Sequence, residues 1–260
     1  AQVIVNTTPV GMFPNTGVAP VSLDMFPQCE GVLDLIYNPA KTALLLDAER
    51  RGIRCANGLH MLVAQAKLAS ELFRGTKLDD SIIDAVRADI ERQTHNIVLI
   101  GMPGSGKTTI GKCVAGRLGR RLLDTDAMIP GFSDGMSASE IIQARGEAAF
   151  RAIETRAVCE AGKQSGCVIA TGGGVVTQPA NTDPLRQNSV IFFIDRPLNS
   201  LELGNDRPLS ATREQNARLY EQRLPLYEAL CDYRIENVDL SKAISDVVSA
   251  FNAHFGEAVK

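Results

Sequence analysis

NIVLIGMPGSGKTT, residues 96–109, runs from a short apolar stretch into a glycine-rich turn that ends on Lys107 and Thr108. Ile97 to Ile100 reads as a buried strand, and a helical segment begins at Lys107. Between them, Gly101 to Thr108 matches the pattern GxxxxGK(S/T). The glycines let successive backbone N–H groups turn inward on a phosphate, and the helix N-terminus adds partial positive charge. The loop residues Gly104, Ser105, Gly106, Lys107, Thr108 and Thr109 are therefore candidate phosphate ligands. Lys107 is placed to reach β- and γ-phosphates, and Thr108 to ligate Mg²⁺. This loop alone leaves GTPases, ATPases, nucleoside kinases and metabolite kinases open.

Outward from the loop, short apolar strands alternate with helical stretches: RLLDTD (121–126), GCVIATGGG (166–174) and SVIFFID (189–195). This is the texture of a parallel sheet covered by helices. LLDTD sets Asp124 and Asp126 at a strand end, where ligands gather in open parallel sheets. Two carboxylates two residues apart on a strand share a face. Asp124 can then hold Mg²⁺ through a water, and Asp126 can face a substrate hydroxyl as positioning group and general base. The competing reading is that these aspartates cap the following helix. GEAAFRAIE puts Phe150 and Arg151 on a helix, ATGGGVV puts Gly172, Gly173 and Gly174 at another strand end, and DRPLS and QRLPLY supply Arg207 and Arg223. Taken singly, each arginine is more often a surface ion-pair partner.

Taken together and at these spacings, GMPGSGKTT, DTD, GE..FR..E, GGG, RPL and R.PLY resemble the shikimate kinase family, in the family's order over residues 96–235. The resemblance implies a P-loop kinase with a parallel sheet in an αβα sandwich, using ATP and Mg²⁺ to phosphorylate the 3-hydroxyl of shikimate. It implies that Arg151 and Arg223 bind the substrate carboxylate, that Asp126 holds ring hydroxyls, and that the backbone of Gly172 to Gly174 frames the ring. Lys107, Asp126 and Arg207 are then the catalytic set, Arg207 closing on ATP from a lid. The segment Leu198–Leu209 departs from the family pattern: it is short and lacks the arginine that relatives place before RPL against the adenine. A second adenine-side arginine is missing near Glu236–Asp239. A gluconate kinase, or a module that binds nucleotide without turning it over, would share the loop and the sheet.

The first ninety residues read differently. Val3–Val5 and Val32–Ile36 are short strands closed by NTTP and YNP. Thr42 can cap a helix running to Arg51, and Leu59 to Phe73 repeats at helical spacing before Gly75. Leu78 to Arg92 forms one apolar helical stripe. VIVNTTPVGMFP, YNPAKTALLLDAERRG and NGLHMLVAQAKLASELF resemble the closing third of shikimate dehydrogenases over residues 3–75. That resemblance implies a partial Rossmann-like α/β segment, with Tyr37 and Gln65 near shikimate and Gly58 and Met61 near a nicotinamide. No Gly-rich dinucleotide turn follows any strand before residue 90, so NADP binding and hydride transfer are expected only in a longer parent chain. The expected layout is 1–76 dehydrogenase-like, 77–94 helical linker and 95–260 kinase-like. A start at Ala1, directly before a buried strand, reads as a fragment of a bifunctional dehydrogenase and kinase, with self-association or an upstream half covering exposed sheet.

Composition bounds the rest. A net charge of −3 lacks the basic excess of nucleic-acid binders. The six cysteines include no CxxC pair, which suits reduced thiols in a cytoplasmic compartment. No apolar run reaches the about 18 residues of a membrane span.

Overall fold

The computed structural model describes residues 1–201 and 213–256, the side chains of Arg213 and Glu214 excepted. It divides into two units. One comprises residues 1–95 with 186–188 and the chain from 252; the other comprises residues 96–185 and 189–251.

The first unit contains β1 (Val3–Asn6), β2 (Gly31–Asp34), α1 (Ala43–Arg50), β3 (Arg54–Asn57), α2 (Leu59–Arg74) and α3 (Ser81–Thr94). Its three strands are parallel, in the order β1-β2-β3. Leu23, Val32, Leu44, Leu45 and Ala48 form its core. Thr42 caps α1 as expected, its hydroxyl accepting from the Leu45 N–H, and Gly75 ends α2 in the left-handed region at φ 66°. Asp34 is fully buried at the end of β2, where it accepts from Asn6 Nδ2 at 3.0 Å and from Thr42 Oγ1 at 2.6 Å. On the other face of the sheet Val3, Val5 and Leu33 are exposed. The helical stripe expected from Leu78 starts three residues later, at Ser81. The Leu78 N–H is instead taken by the Glu71 carboxylate, which holds the turn between α2 and α3.

The second unit contains β4 (Asn96–Ile100), α4 (Lys107–Leu118), β5 (Leu122–Asp124), α5 (Thr125–Met128), α6 (Ala138–Gly162), β6 (Val168–Ala170), β7 (Ser189–Asp195), α8 (Arg213–Leu230) and β8 (Tyr233–Glu236), with all of α7 (Thr182–Arg186) but its last residue and of α9 (Leu240–His254) but its last three. All five strands are parallel, in the order β5-β6-β4-β7-β8. Every residue of β4 is buried, as a central strand covered on both faces requires. The chain leaves β4 toward the β6 side and later returns to its other side with β7. The strand order thus reverses at β4, and ligands bind at the carboxyl ends of strands at such a point. The phosphate loop follows that strand directly.

Candidate active site

The loop between β4 and α4 is tightened by glycine where nothing else fits. Gly101 has φ 146°, and a Cβ there would collide with the Ile194 carbonyl. Lys107 opens α4 almost fully buried, its ammonium donating to the Gly101 and Met102 carbonyls at 2.9 and 2.8 Å. The first turn of α4 has N–H groups with no intrahelical acceptor, which suits an anion. Ser105 Oγ is buried without a hydrogen-bond partner among the described residues. Thr108 Oγ1 donates to Asp124 Oδ2 at 2.9 Å.

Asp124 and Asp126 do not lie together on a strand. β5 stops at Asp124, whose Oδ1 accepts from the N–H groups of Asp126 and Ala127 and so turns the chain into α5. Capping and facing the loop are both met by Asp124, one carboxylate oxygen for each. Asp126 sits in the first helical turn, exposed.

The glycine triplet after β6 is where the acceptor side converges. A Cβ on Gly172 would lie 2.6 Å from Asp126 Oδ1 and 2.7 Å from Glu154 Oε1; on Gly173 it would strike Pro103, and on Gly174 the Arg151 guanidinium. Three side chains are absent here because four neighbours occupy their space. Arg151, 8% exposed on α6, donates from Nη1 to Glu154 at 2.7 Å and from Nη2 and Nε to Glu147 at 3.0 and 3.3 Å. Burial pushes the Glu154 carboxyl up against the pull of Arg151. Burial also works against the charge on Arg151, but Glu154 and Glu147 together outweigh it and raise its pKa. Arg223, buried on α8, donates to the Gly173 carbonyl at 3.2 Å. One turn on, Tyr227 stacks on Phe193 with centroids 4.9 Å apart, and its hydroxyl donates to the same carbonyl. Burial pushes the Tyr227 phenol up, so it stays a neutral donor.

Beside the loop, at the carboxyl ends of β7 and β8, lies a cavity of about 560 Å³ lined by Asp195, Arg196, Pro197, Tyr220, Glu236 and Val238 among others. Tyr220 and Arg234 both donate to Asp195, at 3.2 and 2.7 Å. Arg196 reaches the Gly104 carbonyl at 3.4 Å.

The structure therefore gathers Lys107, Thr108, Asp124, Asp126, Arg151, Arg223 and Gly172–Gly174 around one edge of one sheet. Arg207 lies outside the described residues. In the first unit Tyr37, Met61 and Gln65 are exposed, the last two one turn apart on α2, and Gly58 packs on the Leu35 carbonyl with no room for a Cβ. Glu154, Glu147, Tyr227 and Asn237 received no role from the sequence. The i,i+3 spacing of Arg151 to Glu154 was the available signal for the first of them.

A family model described as shikimate kinase matches residues 103–252. The shikimate kinase of Caldanaerobacter subterraneus is 41% identical over 165 residues, which is 60% of this chain and 95% of that protein. The structure of a shikimate kinase from Acinetobacter baumannii in complex with shikimate superposes with a TM-score of 0.59 at 29% identity, over 66% of this chain and 99% of the other. The N-terminal part matches a chorismate mutase/shikimate 5-dehydrogenase fusion protein from Clostridium acetobutylicum at 38% identity, over 34% of this chain and 33% of that one, with a TM-score of 0.33. Since the family model spans more than half of the chain, and loop residues 104–109, the arginines and the glycine triplet fall inside it, the chain belongs to the shikimate kinase family.

Proposed function

We propose that the chain transfers the γ-phosphoryl group of ATP to the 3-hydroxyl of shikimate, giving shikimate 3-phosphate and ADP on the route to aromatic amino acids. The observation that supports this best is the Gly172–Gly174 turn. Its neighbours are two buried arginines, an exposed aspartate and Pro103 of the phosphate loop. A substrate on that turn finds cations for a carboxylate and an acceptor for a hydroxyl beside the phosphoryl donor. Arg151 and Arg223 hold the carboxylate, their planar forks suiting it better than lysines would. Asp126 orients the hydroxyl and accepts its proton. Lys107, turning from the loop carbonyls to the β- and γ-phosphates, balances charge as the phosphoryl group moves.

Thr108 and Asp124 present hard oxygen donors 2.9 Å apart, a set that suits Mg²⁺, with Asp124 acting through a water. Bound there, the ion supplies charge neutralisation for the phosphates. The cavity beside β7 and β8 takes the nucleoside, with Pro197 and Val238 offering apolar surface and Arg196 a cation where the two adenine-side arginines are missing. Arg207 is assigned to ATP from its RPL motif alone. Residues 95–260 carry the kinase, 77–94 a helical connection, and 1–76 a dehydrogenase-like segment whose Tyr37 and Gln65 would face shikimate, and Gly58 and Met61 a nicotinamide, only in a longer parent chain. The setting is cytoplasmic.

The test is ADP release with shikimate, with gluconate and with no acceptor, in the wild type and in Lys107→Ala. ADP should form in step with shikimate, and Lys107→Ala should slow it by about 10²-fold or more. Release that ignores the acceptor, or that prefers gluconate, overturns the reading.

A further inference from the structure

Asn237 follows β8 and is only 6% exposed. Its backbone N–H donates to the Asp195 carbonyl at 2.7 Å, and its side-chain Nδ2 donates to the Ser105 carbonyl at 2.8 Å. The residues on either side of it, Glu236 and Val238, line the cavity beside β7 and β8. Three consecutive residues thus alternate: two face the cavity and the middle one grips the phosphate loop.

The grip has a directional consequence. In a planar trans peptide the C=O and N–H point to opposite sides. Holding the Ser105 carbonyl on Asn237 turns the N–H of the same peptide, that of Gly106, away from β8. Gly106 has φ 94°, and a Cβ there would come within 2.8 Å of Asn237 Nδ2. The glycine is therefore needed both for the left-handed backbone and for the approach of the asparagine. Without the amide, the same peptide could rotate, and a buried carbonyl would be left without its donor.

Resting on the kinase reading above, we propose that Asn237 is a positioning residue for phosphate binding. It sets the Ser105–Gly106 peptide so that the loop presents the Gly106 N–H to the nucleotide's phosphates. It also ties that setting to the wall of the nucleoside cavity.

The test is calorimetric titration of the full chain with ADP, with inorganic tripolyphosphate and with shikimate. The variants are Asn237→Ala and Asn237→Leu, the second keeping the bulk without the donor. Both should weaken ADP and tripolyphosphate alike, by about tenfold for one lost buried hydrogen bond. Shikimate affinity should stay within about twofold, and the Michaelis constant for ATP should rise more than the turnover number falls. A loss confined to ADP would mean that Asn237 serves the nucleoside, and a parallel loss for all three would mean a merely structural role. Either result overturns the proposal, as does unchanged tripolyphosphate binding. If the wild type binds ADP yet leaves shikimate unphosphorylated, the kinase reading fails, while the ADP and tripolyphosphate arms still decide the role of Asn237.

Discussion

Arg151 is held from two sides by carboxylates of unequal standing. Glu154 is 1% exposed and takes Nη1, whereas the Glu147 side chain is 50% exposed and takes the Nε–Nη2 edge. That edge is one of the two a planar carboxylate can grip with two parallel bonds. A substrate carboxylate that takes it displaces Glu147 and can leave Glu154 in place. Glu154→Ala should leave a buried guanidinium with the half-exposed Glu147 as its carboxylate partner, lower stability by about 3 kcal/mol and raise the Michaelis constant for shikimate. Glu147→Gln removes a half-exposed competitor, so stability should change by less than about 1 kcal/mol, and the Michaelis constant for shikimate should fall. Steady-state kinetics and thermal melts of the two variants check both statements; an increase in that constant for Glu147→Gln would show that the glutamate helps to aim the arginine rather than compete for it.

Between α2 and α3 a single carboxylate connects three pieces of chain. Glu71, nearly buried, accepts from the Leu78 N–H at 2.9 Å, from Lys67 at 2.9 Å and from Lys77 at 3.0 Å, and Lys67 reaches on to Asp80 at 2.7 Å. The Leu78 N–H first, then the two lysines, lower its pKa from 4.5 to about 2. A carboxyl with a depressed folded pKa contributes stability above its unfolded pKa and loses it as pH falls through the folded one. The turn should therefore loosen between about pH 4.5 and 2, seen as faster amide exchange at Leu78 and in α3, and Glu71→Gln should flatten that pH dependence. None of this was legible in the sequence, because the partners of Glu71 are set by how the turn folds back. The strands show the same division. β4 and β7 hold unbroken apolar runs, Ile97–Ile100 and Val190–Ile194, and announce themselves, but RCAN in β3 and YRIE in β8 have no such run and become strands by pairing with β2 and β7. In the site, Lys107, Thr108, Arg151 and the glycine triplet were readable because their spacing is local. Asn237 and the bond made by Tyr227 of R.PLY were not, since each acts on a carbonyl far away in the chain, at Ser105 and Gly173.

At the scale of the whole chain, each unit has its own core. Leu23, Val32, Leu44, Leu45 and Ala48 pack in the first, while Val98, Ile100, Ile169, Ile191 and Phe193 pack in the second around the sheet that carries the site. The chemistry assigned to the second unit draws no residue from the first. The first unit, in turn, offers Tyr37, Met61 and Gln65 but, among its described residues, no Gly-rich turn at a helix N-terminus to hold a dinucleotide, so the chain as given should not oxidise NADPH with 3-dehydroshikimate, as absorbance at the reduced cofactor's band would record. A full-chain variant separates the two cores most directly. Leu44 is fully buried, so Leu44→Ala should destabilise the first unit by about 2–5 kcal/mol through lost burial and a residual cavity. Two independent cores predict two calorimetric transitions, of which Leu44→Ala lowers one. ADP with shikimate at about 100 times their dissociation constants should raise the other, each ligand adding about 2.7 kcal/mol to the unit that binds it. Turnover measured below the first transition should match the wild type. A single transition that moves with both the substitution and the ligands, or a kinase rate that falls with Leu44→Ala, would mean that the first unit takes part in building the site.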